Sequence, residues 1–174
     1  MKKFSLYLCA AILFAAIGVA VGLYVQSKNA DPRQKALTSL FDQTLTSPNG
    51  QPQALSQWQG KALIINFWAT WCTPCVAEMP ELLALQKELQ STQIIGIGID
   101  TQANIVQFAE KLHIDYPLYV ADTRIISLLR QMGNPSGGLP FTVLVGANGA
   151  IKKVYVGQLK FNELRKDLNT FQMK

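Results

Sequence analysis

Trp71-Cys72-Thr73-Pro74-Cys75 is the part of the chain whose residue types and spacing are best suited to chemistry. Two cysteines three positions apart, where a strand passes into a helix, are arranged to form and break a disulfide reversibly. Cys72 falls at the helix N-terminus, where unpaired backbone N–H groups and the helix dipole stabilise a thiolate. The thiolate is the attacking species, so bringing its pKa toward ambient pH raises its population while keeping most of its nucleophilicity. Cys75, about one turn further in, is placed to resolve a mixed disulfide left on Cys72, and Thr73 and Pro74 constrain the loop and tune the dithiol–disulfide balance. Other uses of the pair fit less well. Zinc needs two more ligands, and only Cys9 and His113 remain. Covalent haem attachment needs a histidine where Val76 stands. A purely structural disulfide would close too small a loop to stabilise much through chain entropy. His113, near a helix end beside a polar turn, reads as a surface residue.

The elements that must position this pair follow from hydrophobic patterning. Ala62 to Phe67 and Ile94 to Ile99 are short apolar runs suited to strands buried on both faces. Between them, Cys75 to Leu89 carries apolar residues at helical spacing, with Pro80 predicting a kink near its start. Ile105 to Leu112 and Arg124 to Met132 read as helices with a strand at Tyr116 to Val120 between them. Phe141 to Val145 and Lys152 to Val156 flank the Asn148-Gly149 turn of a hairpin, and Phe161 to Phe171 closes the chain as an amphipathic helix. Upstream, Ser47-Pro48-Asn49-Gly50 separates Thr44 to Thr46 from Gln53 to Leu55 as a further hairpin. The pattern predicts an α/β domain with a mixed central sheet flanked by helices and an N-terminal β-hairpin. Ile95-Gly96-Ile97-Gly98 does not complete a dinucleotide fingerprint, because its third glycine would fall at Thr101; it reads as a strand containing two glycines.

With 49% hydrophobic and only 16% charged residues, the 174-residue chain is more apolar than a soluble domain of its size, and the excess is local. Phe4 to Val25 holds 22 uncharged residues, 19 of them hydrophobic. As a helix that length spans a bilayer's hydrocarbon core, whereas a cleavable signal has a shorter apolar stretch and a clear small-x-small site. The expectation is therefore an N-terminal membrane anchor over residues 1–25, a linker over 26–37 and one domain over 38–174. A cleaved signal and a soluble periplasmic protein is the alternative. Lys2 and Lys3 argue for an N-terminus inside, whereas Lys28, Arg33 and Lys35, partly offset by Asp31, lie on the other flank. A long domain translocates largely regardless of charge, so the expectation in a bacterium is a single-pass inner-membrane protein with its domain in the periplasm, where disulfide chemistry is permitted. The net charge of +5 falls to +3 without Lys2 and Lys3 and is scattered, which argues against a nucleic-acid partner.

Asn66-Phe67-Trp68-Ala69-Thr70-Trp71-Cys72-Thr73-Pro74-Cys75, followed by Glu78, Met79 and Pro80, resembles the thioredoxin superfamily. More narrowly it is similar to the TlpA/ResA-like branch of membrane-anchored bacterial thiol-disulfide oxidoreductases, from about Leu37 to Phe171. The resemblance implies a thioredoxin-like fold, a redox-active Cys72–Cys75 disulfide and no cofactor or metal. It also implies that Leu139-Pro140 is a cis-proline site, that Gly157 lies in the same substrate groove, and that Trp71 belongs to the apolar contact surface while Trp68 is a core aromatic. Where thioredoxin has a buried aspartate this chain has Asn66, and the branch suggests Glu78 as the substitute proton acceptor for Cys75. The implied partners are disulfide-bearing proteins and an upstream membrane dithiol donor, in haem-protein or copper-site maturation. A disulfide oxidant or isomerase, a thioredoxin-fold peroxidase and a non-catalytic client-binding protein are the alternatives. The peroxidase pattern P-x-x-x-[S/T]-x-x-C fails, with Ile65 and Ala69 at the required positions before Cys72 and Trp68 and Cys72 before Cys75.

Overall fold

A computed structural model describes residues 14, 15, 17–19 and 31–173. The expected anchor lies mostly outside these residues; of its length only 14, 15 and 17–19 are described, as helix, with Phe14, Ile17 and Val19 exposed. No helix among the described residues is long and apolar enough to cross a membrane. The chain divides into two compact units, residues 1–31 and 32–174, and the second carries the fold.

That unit opens with α1 (Pro32–Phe41), β1 (Thr44–Thr46), β2 (Pro52–Ala54) and a 3-10 turn at Leu55–Trp58. It continues through β3 (Ala62–Trp68), α2 (Thr73–Glu88), β4 (Thr92–Ile99), α3 (Gln102–Leu112) and β5 (Leu118–Ala121). After a 3-10 turn at Thr123–Ile125 come α4 (Ile126–Gln131), β6 (Phe141–Val145), β7 (Ile151–Val156) and α5 (Phe161–Thr170). The strands form one mixed sheet in the order β2-β1-β5-β4-β3-β6-β7. β3, β4 and β5 run parallel, whereas β6 and β7 return antiparallel through the Asn148-Gly149 hairpin.

β3 is buried along its whole length, as expected for a strand covered on both faces. Its side chains alternate: Leu63, Ile65 and Phe67 join the cluster under α1 and α4, and Ala62, Ile64 and Trp68 join the one that contains Cys75, Met79 and Leu164. The two glycines of β4 serve packing. A Cβ at Gly98 would lie 2.2 Å from Ile105 Cδ1, and one at Gly96 would lie 2.6 Å from Leu118 Cδ2. α2 runs through Pro80 as one helix.

The expected linker over 26–37 is corrected where it is described. Residues 26–30 lie outside the described residues, but Pro32–Phe41 is helical and buries Ala36, Leu37, Leu40 and Phe41. The apolar positions at i, i+1, i+4 and i+5 straddle the supposed boundary, so a cut at residue 37 divides one helical face. Arg124 to Met132, expected as one helix, is a 3-10 turn followed by the short α4. Because Leu37 is fully buried, Leu37→Ala is expected to lower stability in urea by about 2–5 kcal/mol. A linker residue would change it by no more than about 0.5 kcal/mol.

Candidate active site

β3, an interior strand, brings the chain to the carboxyl end of the parallel strands, and Ala69-Thr70-Trp71 turns it into α2. Cys72 is the N-cap of that helix, with extended backbone (φ −90°, ψ 97°), and its carbonyl accepts from Val76 N at 3.1 Å. Thr73 and Pro74 occupy the first two helical positions, where the missing proline N–H costs no helical bond. Cys72 and Cys75 are joined in a disulfide with Cα atoms 5.3 Å apart. Cys72 keeps 6% of its surface and Cys75 none, while Trp71, Thr73 and Pro74 are exposed. A group arriving from solvent therefore meets Cys72.

The register of the sheet brings the other expected residues to the same end. Phe67 pairs with Phe141, and Phe141 with Val156, so Pro140 and Gly157 lie where β3 ends and the Cys72 loop begins. The Leu139–Pro140 bond is cis, Leu139 is half-buried and Pro140 is buried. Gly157 N donates to Pro140 O at 2.9 Å, and Gly157 has φ +84° with open space where a Cβ would stand. Its glycine character thus answers to backbone conformation, not to crowding inside this chain. Trp71 and Val156 are exposed large hydrophobic residues at this end (69% and 56%), whereas Trp68 is fully buried in the core.

Beneath the disulfide Glu78 is buried to 1% exposure, one turn beyond Cys75 on α2. Its Oε1 accepts from Asn66 Nδ2 and its Oε2 from Leu159 N, both at 2.9 Å. Asn66 Nδ2 also donates to Thr142 Oγ1 at 3.0 Å. Burial pushes the Glu78 carboxyl up, and the bonds from Leu159 and Asn66 only partly oppose it, so its pKa lies above the ordinary 4.5. Tyr116 is raised as well, by burial first and then by the charges of Glu78 and Asp115.

Two sets of partners escape sequence reasoning. Thr142 and Leu159 reach Glu78 or Asn66 across 76 and 81 residues, and no local motif marks them. Thr70, just before Trp71, donates its hydroxyl to Asp100, which also accepts from Thr101 N and Asn104 Nδ2 at 2.7 Å. Slight burial raises the Asp100 carboxyl, but these donors outweigh it and hold it below its usual range. The contact ties the loop before Cys72 to the start of α3. Among the described residues no three His, Cys, Asp or Glu side chains converge on a metal-sized site. His113 is exposed at the C-cap of α3, with φ 50°.

A Cys-x-x-Cys disulfide at a strand–helix junction, beside a cis-proline on this sheet, defines a thiol-disulfide oxidoreductase of the thioredoxin superfamily. Residues 30–168 match the Redoxin family, and the chain belongs to it. The thiol-disulfide oxidoreductase ResA of Geobacillus kaustophilus is 28% identical over 167 residues, which cover 92% of this chain and 91% of that one. The thioredoxin-like protein YneN of Bacillus subtilis is 26% identical over 133 residues, covering 74% and 75%. Among solved structures, a thioredoxin-related protein from Neisseria meningitidis serogroup B is 30% identical with a TM-score of 0.64, covering 75% of this chain and 99% of that one. A thiol:disulfide interchange protein from Chlorobium tepidum is 25% identical at the same TM-score of 0.64, covering 74% and 92%. The chain is thus a TlpA/ResA-like oxidoreductase.

A carboxyl whose pKa rises on folding binds its proton more tightly in the folded state. The stability it contributes is full below the unfolded value and is lost as pH climbs through the raised one. Urea unfolding of the oxidised protein is therefore expected to show stability falling above pH 4.5 by an amount that Glu78→Gln removes. Equal slopes for the two proteins would mean that the carboxyl is not desolvated.

Proposed function

We propose that the protein is a membrane-anchored periplasmic reductase of partner-protein disulfides, held by Phe4 to Val25 and re-reduced by an upstream membrane dithiol donor. The observation that carries this reading is the asymmetry of the pair: Cys72 at the rim of an open apolar edge, and Cys75 sealed above a buried carboxyl. The Cys72 thiolate attacks one sulfur of a partner disulfide, and the partner's other sulfur leaves as a thiolate. Cys75 gives its proton to Glu78, directly or through one water, and its thiolate attacks the Cys72 sulfur. The mixed disulfide breaks, the second partner sulfur departs with its electron pair, and the Cys72–Cys75 disulfide forms. Two electrons pass to the partner, and its two thiolates take protons from Glu78 and solvent. Trp71, Thr73 and Pro74 on one side and Leu139, Pro140 and Gly157 on the other form the groove for an extended partner segment. The open space at Gly157 receives it. Reduction, in the service of haem-protein or copper-site maturation, is the direction favoured by the resemblance to the TlpA/ResA-like branch.

Reduction of insulin with dithiothreitol as donor should be abolished by Cys72→Ser and unaffected by Cys9→Ser. Client capture that survives loss of both active-site cysteines, with no reductase activity to lose, would favour a binding protein instead. The Cys72/Cys75 potential, measured against glutathione, should lie well below that of a strong oxidant. A value near ~−120 mV would replace reduction with oxidation, since ~30 mV is a tenfold change in equilibrium constant.

Glu78→Gln should slow turnover and shift its pH profile, and an unchanged profile would remove Glu78 from the mechanism. In fractionated cells the full chain should sediment with membranes and a chain starting at Gln26 should not; a shortened soluble product from the full gene would establish cleavage.

A further inference from the structure

Both oxygens of Glu78 face donors, Oε1 the Asn66 amide and Oε2 the Leu159 backbone N–H. That arrangement suits a carboxylate, and although each oxygen keeps a second lone-pair direction, a proton placed on Oε1 toward Asn66 would meet another N–H. A group that takes the Cys75 proton and passes it on must nevertheless spend part of each cycle as the acid. The Leu159 donor is backbone and stays where it is. The Asn66 donor is a side-chain amide, whose two ends are nearly alike in shape.

Asn66 is fully buried, and Nδ2 spends both its hydrogens, on Glu78 Oε1 and Thr142 Oγ1, while Oδ1 has no partner among the described residues. A half-turn of the amide puts Oδ1 in the place of Nδ2. There it accepts from a protonated Glu78 Oε1 and from the Thr142 hydroxyl, which donates as readily as it accepts. Leu159 N keeps its bond to Oε2. Three hydrogen bonds hold the carboxylate in one orientation and three hold the acid in the other, with one end of the amide left over each time.

We propose that Asn66 is a positioning residue for disulfide exchange: its amide reverses as Glu78 gains and loses a proton, Thr142 answers either end, and the carboxyl stays in place below Cys75. The inference rests on the reading of Glu78 as the acceptor of the Cys75 proton. One proton moves from the Cys75 thiol to Glu78 and later to the departing partner thiolate or solvent; no electrons enter this step. The groups tied to the carboxyl are Asn66 on β3, with Thr142 of β6 behind it, the Leu159 backbone after β7 and Tyr116 before β5, and Cys75 lies one turn back on α2. Of these the Tyr116 phenol carries a titratable proton, and the two cysteines do so only once the disulfide is reduced. Asp115 is felt by Tyr116, and no salt bridge reaches Glu78 among the described residues.

The test uses the full chain in detergent micelles with a disulfide-bearing peptide as substrate. Asn66→Leu is expected to lower kcat at least about tenfold, out of the ~10²–10⁴-fold that general acid–base catalysis supplies. KM should change little, and the pH limb assigned to Glu78 should move. In a Glu78→Gln background the same substitution should add less than about twofold, since the two residues act as one unit. Thr142→Val should reduce kcat severalfold and Thr142→Ser should restore it. By NMR, the Asn66 side-chain amide signals should shift with the same pH midpoint as the Glu78 carboxyl carbon. Additive losses from Asn66→Leu and Glu78→Gln, or amide signals that stay fixed while the carboxyl titrates, would overturn the proposal. A wild-type profile in Glu78→Gln overturns the reading of Glu78 and this inference with it. An altered profile there, with wild-type behaviour in Asn66→Leu and Thr142→Val, overturns this inference alone. Should Asn66→Leu not fold, the Thr142 pair and the amide signals decide the matter.

Discussion

Burying the Glu78 carboxyl to 1% exposure, with no ion pair to it among the described residues, would cost several kcal/mol (about 3 or more) were its oxygens left without donors. The fold must bring those donors from distant parts of the chain, and that requirement fixes how several elements meet. Asn66 comes from the central strand, with Thr142 directly opposite it on β6, and Leu159 comes from the segment between β7 and α5. A one-residue slip between β3 and β6 would send the partner of Asn66 to the other face of the sheet. The register that buries Leu63, Ile65 and Phe67 on one side is therefore the register that holds the carboxyl on the other.

The same junction separates what solvent can reach from what it cannot. β3 ends in the interior and α2 begins at the surface, so within one turn the chain passes from 6% exposure at Cys72 to none at Cys75. Thr70 and Asp100 fasten the loop between them to the neighbouring parallel strand, and the donors gathered at Asp100 keep that carboxylate charged. The two carboxyls are tuned in opposite directions by the same two forces. At Asp100 hydrogen bonds outweigh slight burial, whereas at Glu78 burial outweighs hydrogen bonds. Only the second holds its proton more tightly than an ordinary carboxyl does.

How much of this could be read from sequence depended on whether the determinant was local. The apolar run of β3, the Cys-x-x-Cys spacing and the Asn-Gly turn each sit within ten residues, and each was legible. Pro140 and Gly157 were placed by resemblance alone; the contact that joins them, Gly157 N to Pro140 O, spans 17 residues and has no local signature. α1 was missed because its polar start, Pro32 to Lys35, reads like the segment before it, and its buried face shows only when Ala36 and Leu37 are taken together with Leu40 and Phe41. Thr142 was legible as a strand residue and illegible as a partner. A threonine in a buried strand reads as ordinary β-branched packing until the strand opposite is known to carry an amide.

Asn66 was visible from the start only as something missing, an asparagine where the resembled family has an aspartate. The geometry turns that absence into a constraint on charge. An aspartate at this position would set a second carboxylate about 3 Å from Glu78, and two carboxylates that close do not both ionise; they titrate as a pair sharing one proton. With an amide there, Glu78 is the one carboxyl of this cluster among the described residues, and it shares no proton with a second carboxylate. The amide is also the one side chain of that size that presents a donor at one end and an acceptor at the other. Exchanging carboxylate for amide thus moves the titrating group from the strand to the helix, one turn from Cys75, and leaves on the strand a group with a donor end and an acceptor end.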